Sequence, residues 1–442
     1  MMGQIKAGET LFRELYDVLG FANEDDLFKH EVRLFPTGNT ELENATTSIF
    51  LASLAAVKEF REDLFQEIGF NKIKNKNINV HAFTEVKKDD KNNQCRPDAL
   101  LVVTSGKTNP LIEWIGFIES KVGNNHLQQN QIDCYVDFGK EIGVDNIITI
   151  SNYIATSPNA SPFSTKKRNF NLYHWSWTYL KVTAKRLIRS GIVQDSDHEY
   201  MLRELRRYFD CHSKLTNFTN MGGLEWKEAV QKCRDLGRDA KLPKTCTDAL
   251  IESYKQEEKD IALQLTDSNQ KGLYVQLDGI KSDREEELLV MLLKERSFTS
   301  NYIINQNKNW KFGIKVDFIK LEVECVTSVV IEKGKAQSQT TSLINMMQNA
   351  GHTSQILVNA IYLRNKTPDQ DGVTLQQLLE QKNSTKSIYY STVNKDMGDE
   401  IRYFQIKTKD LLGSEFMAPL KFVQRLEDIA QRFLEHVMVN IE

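Results

Sequence analysis

The sequence predicts an α/β protein of two domains, with an αβββαβ core in its N-terminal half and a second mixed α/β domain after it. Three observations predict this. Segments of helical and of strand periodicity alternate along the chain. Three strand-like runs follow one another with short connections, which favours a meander. A helical segment then separates the third run from a fourth, so the fourth strand is free to lie parallel to a neighbour.

Taken in order, residues 8–21 read as an amphipathic helix with apolar Leu11, Leu15, Val18 and Leu19, and Pro36-Thr37-Gly38 marks a turn. A helix is expected from about 41 to 68. Leu42, Ala45, Ile49, Ala52, Ala56, Phe60 and Leu64 recur at steps of three and four. Phe50, Leu51, Leu54 and Val57 add apolar surface elsewhere, so its middle is expected to be buried almost all round. Polar residues 71–77 lead into a strand, INVHAFTEV, and the loop KKDDKNNQCR leads to Pro97. DALLVVTS and LIEWIGFIESKV are the next two strands, joined by the turn cluster SGKTNP. Residues 126–142 read as a helix and NIITISNY as a further strand. After a loop over 154–169, NLYHWSWTYLKVTAKRLI reads as a strand running into a helix.

The domain division falls within 190–220 and is set at 195, giving domains 1–195 and 196–442 with the core at about 40–152. In the second domain, WKFGIKVDFIKLEVECVTSVVI reads as strand, AQSQTTSLINMMQNA as helix and QILVNAIYL as strand. APLKFVQRLEDIAQRFLEHVM is an amphipathic helix. This half carries no motif that attaches to a reaction. Target recognition, oligomerisation or regulation are the roles left to it.

With 442 residues the chain is too long for one ordinary core. No stretch is long and apolar enough to cross a bilayer, and the N-terminus lacks the apolar core of a signal peptide, so a cytoplasmic location is expected. Six cysteines at 95, 134, 211, 233, 246 and 325 include no C-x-x-C pair, which argues against a zinc site or a disulfide framework and predicts reduced thiols. The net charge of −3 excludes a polycation that coats DNA, though not a local basic groove.

Three residues carry chemistry. Asp98 opens one strand, and Glu119 and Lys121 close the next. If the two strands pair antiparallel with Asp98 opposite Glu119, the midpoint of the pairing falls inside Ser105-Gly106-Lys107-Thr108-Asn109-Pro110, where the turn has to be. Glu119 and Lys121 are two apart and project from one face of the strand. Ser120 points the other way, but its carbonyl stays beside the acids. Two carboxylates and a carbonyl make an oxygen-rich site suited to Mg²⁺ or Mn²⁺. A metal there would polarise a phosphate oxygen and activate water, and Lys121 would offset charge on the phosphorus. Phosphodiester hydrolysis needs these functions.

Pro97-Asp98, then Glu119-Ser120-Lys121, then a helix and a strand, resemble the PD-(D/E)XK nuclease superfamily over roughly residues 40–152. Gln131-x-x-x-Tyr135 looks like the Q-x-x-x-Y element of its RecB-type members, whose Gln and Tyr line the site; here the two are i, i+4 on one helix face. The resemblance implies a restriction-endonuclease-like fold, a divalent metal on Asp98, Glu119 and the Ser120 carbonyl, and a nucleic-acid substrate. It also implies an acid on the preceding helix, a part open to Glu41 or Glu43. DNA is favoured over RNA because most such relatives act on DNA, and defence against foreign DNA or repair follows by analogy.

Each residue also has a structural explanation. Asp98 suits the start of a strand after Pro97. Thr40 and Glu43 match a capping box, which is preferred for Glu43 over a metal role. Gln131 and Tyr135 can pack helix on sheet. Glu113 lies roughly 20 Å along the strand and outside the site. His81, His126, Trp175 and Trp177 have core or surface roles as their ordinary reading, and Lys166-Lys167-Arg168 with Lys181, Lys185, Arg186 and Arg189 form a solvated face unless they meet phosphates. No Walker A sequence is present, so a nucleotide-driven motor would be a separate protein. The rival reading is a nuclease-like fold that binds nucleic acid without cutting, or that acts only with a partner protein. A homo-oligomer fits double-strand cutting, but no residue demonstrates one.

Overall fold

The computed structural model describes residues 23, 41–84, 95–107, 111–123, 125, 127–155, 158–159, 161–163, 170–215, 221, 223–269, 271–278, 283–305, 309–332, 334, 336–362, 372–380 and 401–441. The expected helix over 8–21, the turn at 36–38, His126 and the basic run 166–168 lie outside them. The chain is mixed α/β and divides into two compact units, 1–152 with 157–215, and 153–156 with 216–442. No helix among the described residues is long and apolar enough to cross a membrane.

The expected single helix over 41–68 is two helices, α1 (Glu43–Ala56) and α2 (Lys58–Glu67), because Val57 between them is extended (φ −89°, ψ 107°). The break frees carbonyls, and the Arg61 guanidinium takes that of Ala55 at 2.7 Å. α1 is not buried all round. Its inner face holds Thr46, Thr47, Phe50, Leu51, Ser53 and Leu54, whereas Leu42 is exposed and Ala52 and Ala56 face outward. Phe50, Leu51 and Leu54 each bury several times the apolar surface of an alanine, so they set the phase and two threonines and a serine come in with them.

The strands β1 (Ile78–Thr84), β2 (Ala99–Ser105) and β3 (Leu111–Ser120) form the expected antiparallel meander. Helix α3 (Gln129–Ile142) ends at Gly143, whose left-handed φ of 83° closes it without a Cβ clash. It leads to β4 (Asn146–Ser151), which runs parallel to β3, and β5 (Asn171–Ser176) runs parallel to β4. The sheet order is β1-β2-β3-β4-β5.

Residues of opposite parity on β3 meet opposite layers. Phe117 stacks on Phe138 of α3 at 5.2 Å, while Trp114 meets Phe65 of α2 edge-on at 5.1 Å. On the second side Phe50 also touches Trp175 and Trp177. Ser176 ends β5 and caps α4 (Trp177–Arg189), its hydroxyl accepting from the Tyr179 N–H at 3.0 Å. Helix α5 (Ser196–Cys211) belongs with this unit, so the break falls after Leu215 rather than at 195. Its contacts give the reason: Thr46 Oγ1 lies 3.0 Å from the Tyr208 hydroxyl, and His198 Nδ1 lies 2.7 Å from Glu59.

The second unit contains α6 (Gly223–Leu236), α7 (Lys244–Ser268), β6 (Tyr274–Leu277), α8 (Arg284–Glu295), β7 (Ser297–Asn305), β8 (Asn309–Asp317), β9 (Glu322–Val329), α9 (Ala336–Met346), β10 (Ile356–Tyr362), β11 (Val373–Thr374), α10 (Leu375–Glu380), β12 (Ile401–Leu411) and α11 (Pro419–Phe433). The seven strands form one antiparallel sheet in the order β11-β10-β12-β9-β8-β7-β6. The long strand expected from Trp310 onward is a hairpin. Asp317 Oδ1 accepts from the N–H groups of Ile319 and Lys320, and Leu321 takes a left-handed φ of 54°, which turns the chain. The C-terminal helix is amphipathic, burying Phe422, Val423, Leu426, Ile429, Ala430 and Phe433.

One expectation about the cysteines is overturned. Cys95 and Cys134 form a disulfide, with Cα atoms 5.9 Å apart, while Cys211, Cys233, Cys246 and Cys325 are free. The pairing was hidden because 39 residues separate the two, and only the packing of α3 beside the start of β2 brings them together.

Candidate active site

The β2–β3 register sets the site. Ala99 pairs with Ile118, and one step outward Asp98 stands opposite Glu119. Asp98 Oδ2 accepts from the Ser120 N–H at 2.7 Å, which ties the two strand ends. Glu119 shares the parity of Phe117 and so points to the α3 side. There Tyr135 donates to its Oε2 at 2.8 Å, with the Arg96 carbonyl 3.2 Å from the same hydroxyl. Gln131, one turn earlier, reaches Oε1 at 3.4 Å. Both predicted helix residues therefore meet the predicted acid.

Ser120 points the other way and meets the Thr47 hydroxyl of α1. Lys121 Nζ lies 2.6 Å from Glu119 Oε1, 3.0 Å from the Ser120 carbonyl oxygen and 3.0 Å from Glu43 Oε1. Its own carbonyl accepts from Trp177 Nε1 at 2.9 Å, so Trp177 is a buried residue that also fixes this strand end.

The two candidates for the helix acid separate clearly. Glu43 is the first residue of α1 and turns to Lys121, with the Val122 N–H and Asn125 Nδ2 each 3.4 Å from its other oxygen. Thr40, the capping residue expected from the sequence, lies outside the described residues; Leu42 occupies the cap position, and among the described residues no side chain caps the helix. Glu41 accepts from the N–H and hydroxyl of Ser213. Glu113 pairs with Lys72 and Ser105 well along β3, outside the site. Of the basic residues after the core, Lys181 pairs with Asp210, Arg186 pairs with Asp63 and Lys185 is buried, whereas Arg189 is exposed.

Thr47 and Asn125 are not picked out by the sequence, and the core role read for Trp177 holds, with its contact to the Lys121 carbonyl added. Thr47 follows Glu43 by four and thus shares its helix face, which was the available signal.

Burial dominates the electrostatics. Glu119 is 1 % exposed, and burial together with the charge of Asp98 pushes its carboxyl up to about 7, against the pull of Lys121 and Tyr135. Burial also raises Asp98, opposed by the Ser120 N–H and by Lys121. For Lys121 burial works against the ammonium, but Glu119, Asp98 and Glu43 outweigh it and hold the group above its usual range.

The donor set of Asp98, Glu119 and the Ser120 carbonyl suits a hard divalent cation. Asp98, Glu119 and Glu43 do not bring three carboxylate oxygens within 4.8 Å of one another; among the described residues only Glu257, Asp260 and Glu427 of the second unit do so. An ion at the first site would thus rest on two carboxylates and the carbonyl, with Lys121 turned aside. No family model, curated protein or solved structure matches the chain.

Proposed function

We propose that the first unit is a restriction-endonuclease-like nuclease core that hydrolyses phosphodiester bonds in nucleic acid, DNA before RNA, with Mg²⁺ or Mn²⁺. The observation that carries the reading is the convergence of Asp98, Glu119, the Ser120 carbonyl and Lys121 at one end of a hairpin. Asp98, Glu119 and the Ser120 carbonyl would hold the ion, which when bound supplies Lewis acidity toward a phosphate oxygen and an attacking water. Tyr135 and Gln131 hold the Glu119 carboxylate in orientation. Lys121, charged across the neutral range, stabilises negative charge on the phosphorus and orients the nucleophile. Glu43 anchors that ammonium from α1. The preference for DNA, and a role in defence or repair, rest on the PD-(D/E)XK resemblance. Recognition, oligomerisation or regulation is the part we assign to the second unit.

The test is cleavage of plasmid, linear and single-stranded DNA, and of RNA, with Mg²⁺, Mn²⁺ or EDTA, comparing wild type with folded Asp98→Ala and Lys121→Ala. Metal-dependent cutting lost in both variants supports the reading. Absence of cutting, with nucleic-acid binding unchanged by either substitution, transfers it to a non-catalytic or partner-dependent binding protein.

A further inference from the structure

At the centre of α7, Gln256, Glu257, Glu258, Lys259 and Asp260 are all buried. Successive helical residues turn by about 100°, so five in a row cover every side of the helix, and each polar group must find its own partner. Gln256 accepts from the Ile154 N–H at 2.7 Å. Glu258 is gripped by Arg284 through Nε at 3.1 Å and Nη2 at 2.6 Å, and by the Ser300 hydroxyl at 2.6 Å. The Lys259 ammonium stands 5.4 Å from the centre of the Tyr153 ring. Asp260 accepts from Gln264 at 2.7 Å.

Glu257 differs. It is fully buried, and neither carboxylate oxygen has a hydrogen-bond partner among the described residues. A buried carboxylate with no donor is among the costliest arrangements a fold can hold. It is aimed at Asp260, three residues on along the same helix face, and at Glu427 of α11, and one oxygen from each of the three lies within 4.8 Å of the others. The Gln264 amide donates to both Asp260 and Glu427, the latter at 2.5 Å, so it fixes two of the carboxylates beside the unpartnered one.

We propose that Glu257, Asp260 and Glu427 form a second divalent-cation site that clamps α7 to α11. The donors are all carboxylate oxygens, without nitrogen or sulfur, which selects a hard ion, Mg²⁺, Mn²⁺ or Ca²⁺. Opposite oxygens on such an ion stand about 4.2–4.8 Å apart at about 2.1–2.4 Å from the metal, so small rotamer changes close the site. Without an ion, burial and their neighbouring carboxylates drive Glu257 far above the usual range and Glu427 to about 7. Protons are therefore the competing occupant.

The test uses the full-length chain carrying Asp98→Asn and Glu119→Gln, which removes the first candidate site. Bound Mn²⁺ is counted by electron paramagnetic resonance, and thermal unfolding is followed in EDTA and in millimolar Mg²⁺, Mn²⁺ or Ca²⁺. The expected result is one ion per chain and a rise in Tm on the order of 5 °C with at least one of the three ions. Adding Glu257→Gln, or Glu427→Gln as a second variant, lowers the affinity at least about tenfold and abolishes the Tm shift. Glu257→Gln does not lower Tm in EDTA, since a neutral amide replaces a carboxyl that burial already keeps protonated when no ion is bound. Absence of Mn²⁺ binding and of any Tm shift in the parent chain, or binding that both variants leave intact, overturns the proposal and leaves the cluster to protons. The parent chain alone decides the first of these outcomes, so a variant that fails to fold leaves the test standing.

Discussion

Lys121 Nζ lies 2.6 Å from Glu119 Oε1 and stands among the oxygens on which the proposed metal would rest. Ammonium and metal compete for one patch of negative potential. Lys121→Ala should therefore bind Mn²⁺ several-fold more tightly than wild type while cutting at least about 100-fold more slowly, the usual order for losing a charge stabiliser of the transition state. Titration calorimetry with Mn²⁺ and single-turnover cleavage measure the two effects separately. Weaker Mn²⁺ binding by the variant would show that Lys121 supports the ion rather than competing with it.

The Tyr135 hydroxyl is 2.8 Å from Glu119 Oε2, whereas the Gln131 amide is 3.4 Å from Oε1. Tyr135→Phe removes a short donor from a buried carboxylate, at a cost of about 1–3 kcal/mol. The proton on Glu119 is held more tightly, so the acidic limb of the pH–rate profile should move to higher pH. Gln131→Ala should move it less, because a 3.4 Å contact is near the limit of a hydrogen bond. Equal shifts in the two profiles, or none, would separate Tyr135 from Glu119 and return it to packing.

The site was more legible in the sequence than the packing around it, and for a physical reason. Asp98, Glu119, Lys121, Gln131 and Tyr135 are related by strand parity, hairpin register and helical spacing, all of which are local. Glu43 was ambiguous because its choice between capping and Lys121 depends on where α1 lies against β3. The inner face of α1 departs from the apolar stripe in the sequence because Phe50 and Leu54 bury far more surface than Ala52 and Ala56, a difference that spacing alone does not carry. The extended Val57, the Asp317 turn, the Cys95–Cys134 bridge and the unpartnered Glu257 depend on tertiary contacts or on turns within apolar runs, which periodicity does not report.

The raised carboxyl of Glu119 makes metal-free stability depend on pH. Its value goes from 4.5 to about 7 on folding, so between those values the folded chain holds a proton that the unfolded chain has released. The contribution is fully present below about 4.5, falls as pH rises toward 7 and is absent above it. It amounts to at most about 3 kcal/mol for this one group. In EDTA, Tm should drop between pH 5 and 8, and Glu119→Gln should flatten part of that drop. Glu427 adds a slope of the same sign, which the Glu119 variant leaves in place. A wild-type chain whose Tm in EDTA rises over this range would contradict the burial of an acid at Glu119.

The cysteines give a count that needs no assumption about function. With Cys95 and Cys134 joined, the unreduced chain in denaturant should titrate four thiols, not six. In the folded chain only exposed Cys211 should react quickly, since Cys233, Cys246 and Cys325 are buried and burial pushes the Cys233 thiol up to about 11. The bridge joins the segment that enters at Asp98 to the helix that carries Gln131 and Tyr135, one residue from Tyr135 itself. Reduction frees a loop spanning 39 positions, and by chain entropy alone this costs on the order of 3–4 kcal/mol. Cys134→Ser should accordingly lower Tm to about that of the reduced wild type, and reductant should then have no further effect on it. Six thiols titrating in unreduced, denatured wild type would instead mean that the two sulfurs pack side by side without a bond, and the variant's loss of stability should then be unaffected by whether wild type is reduced.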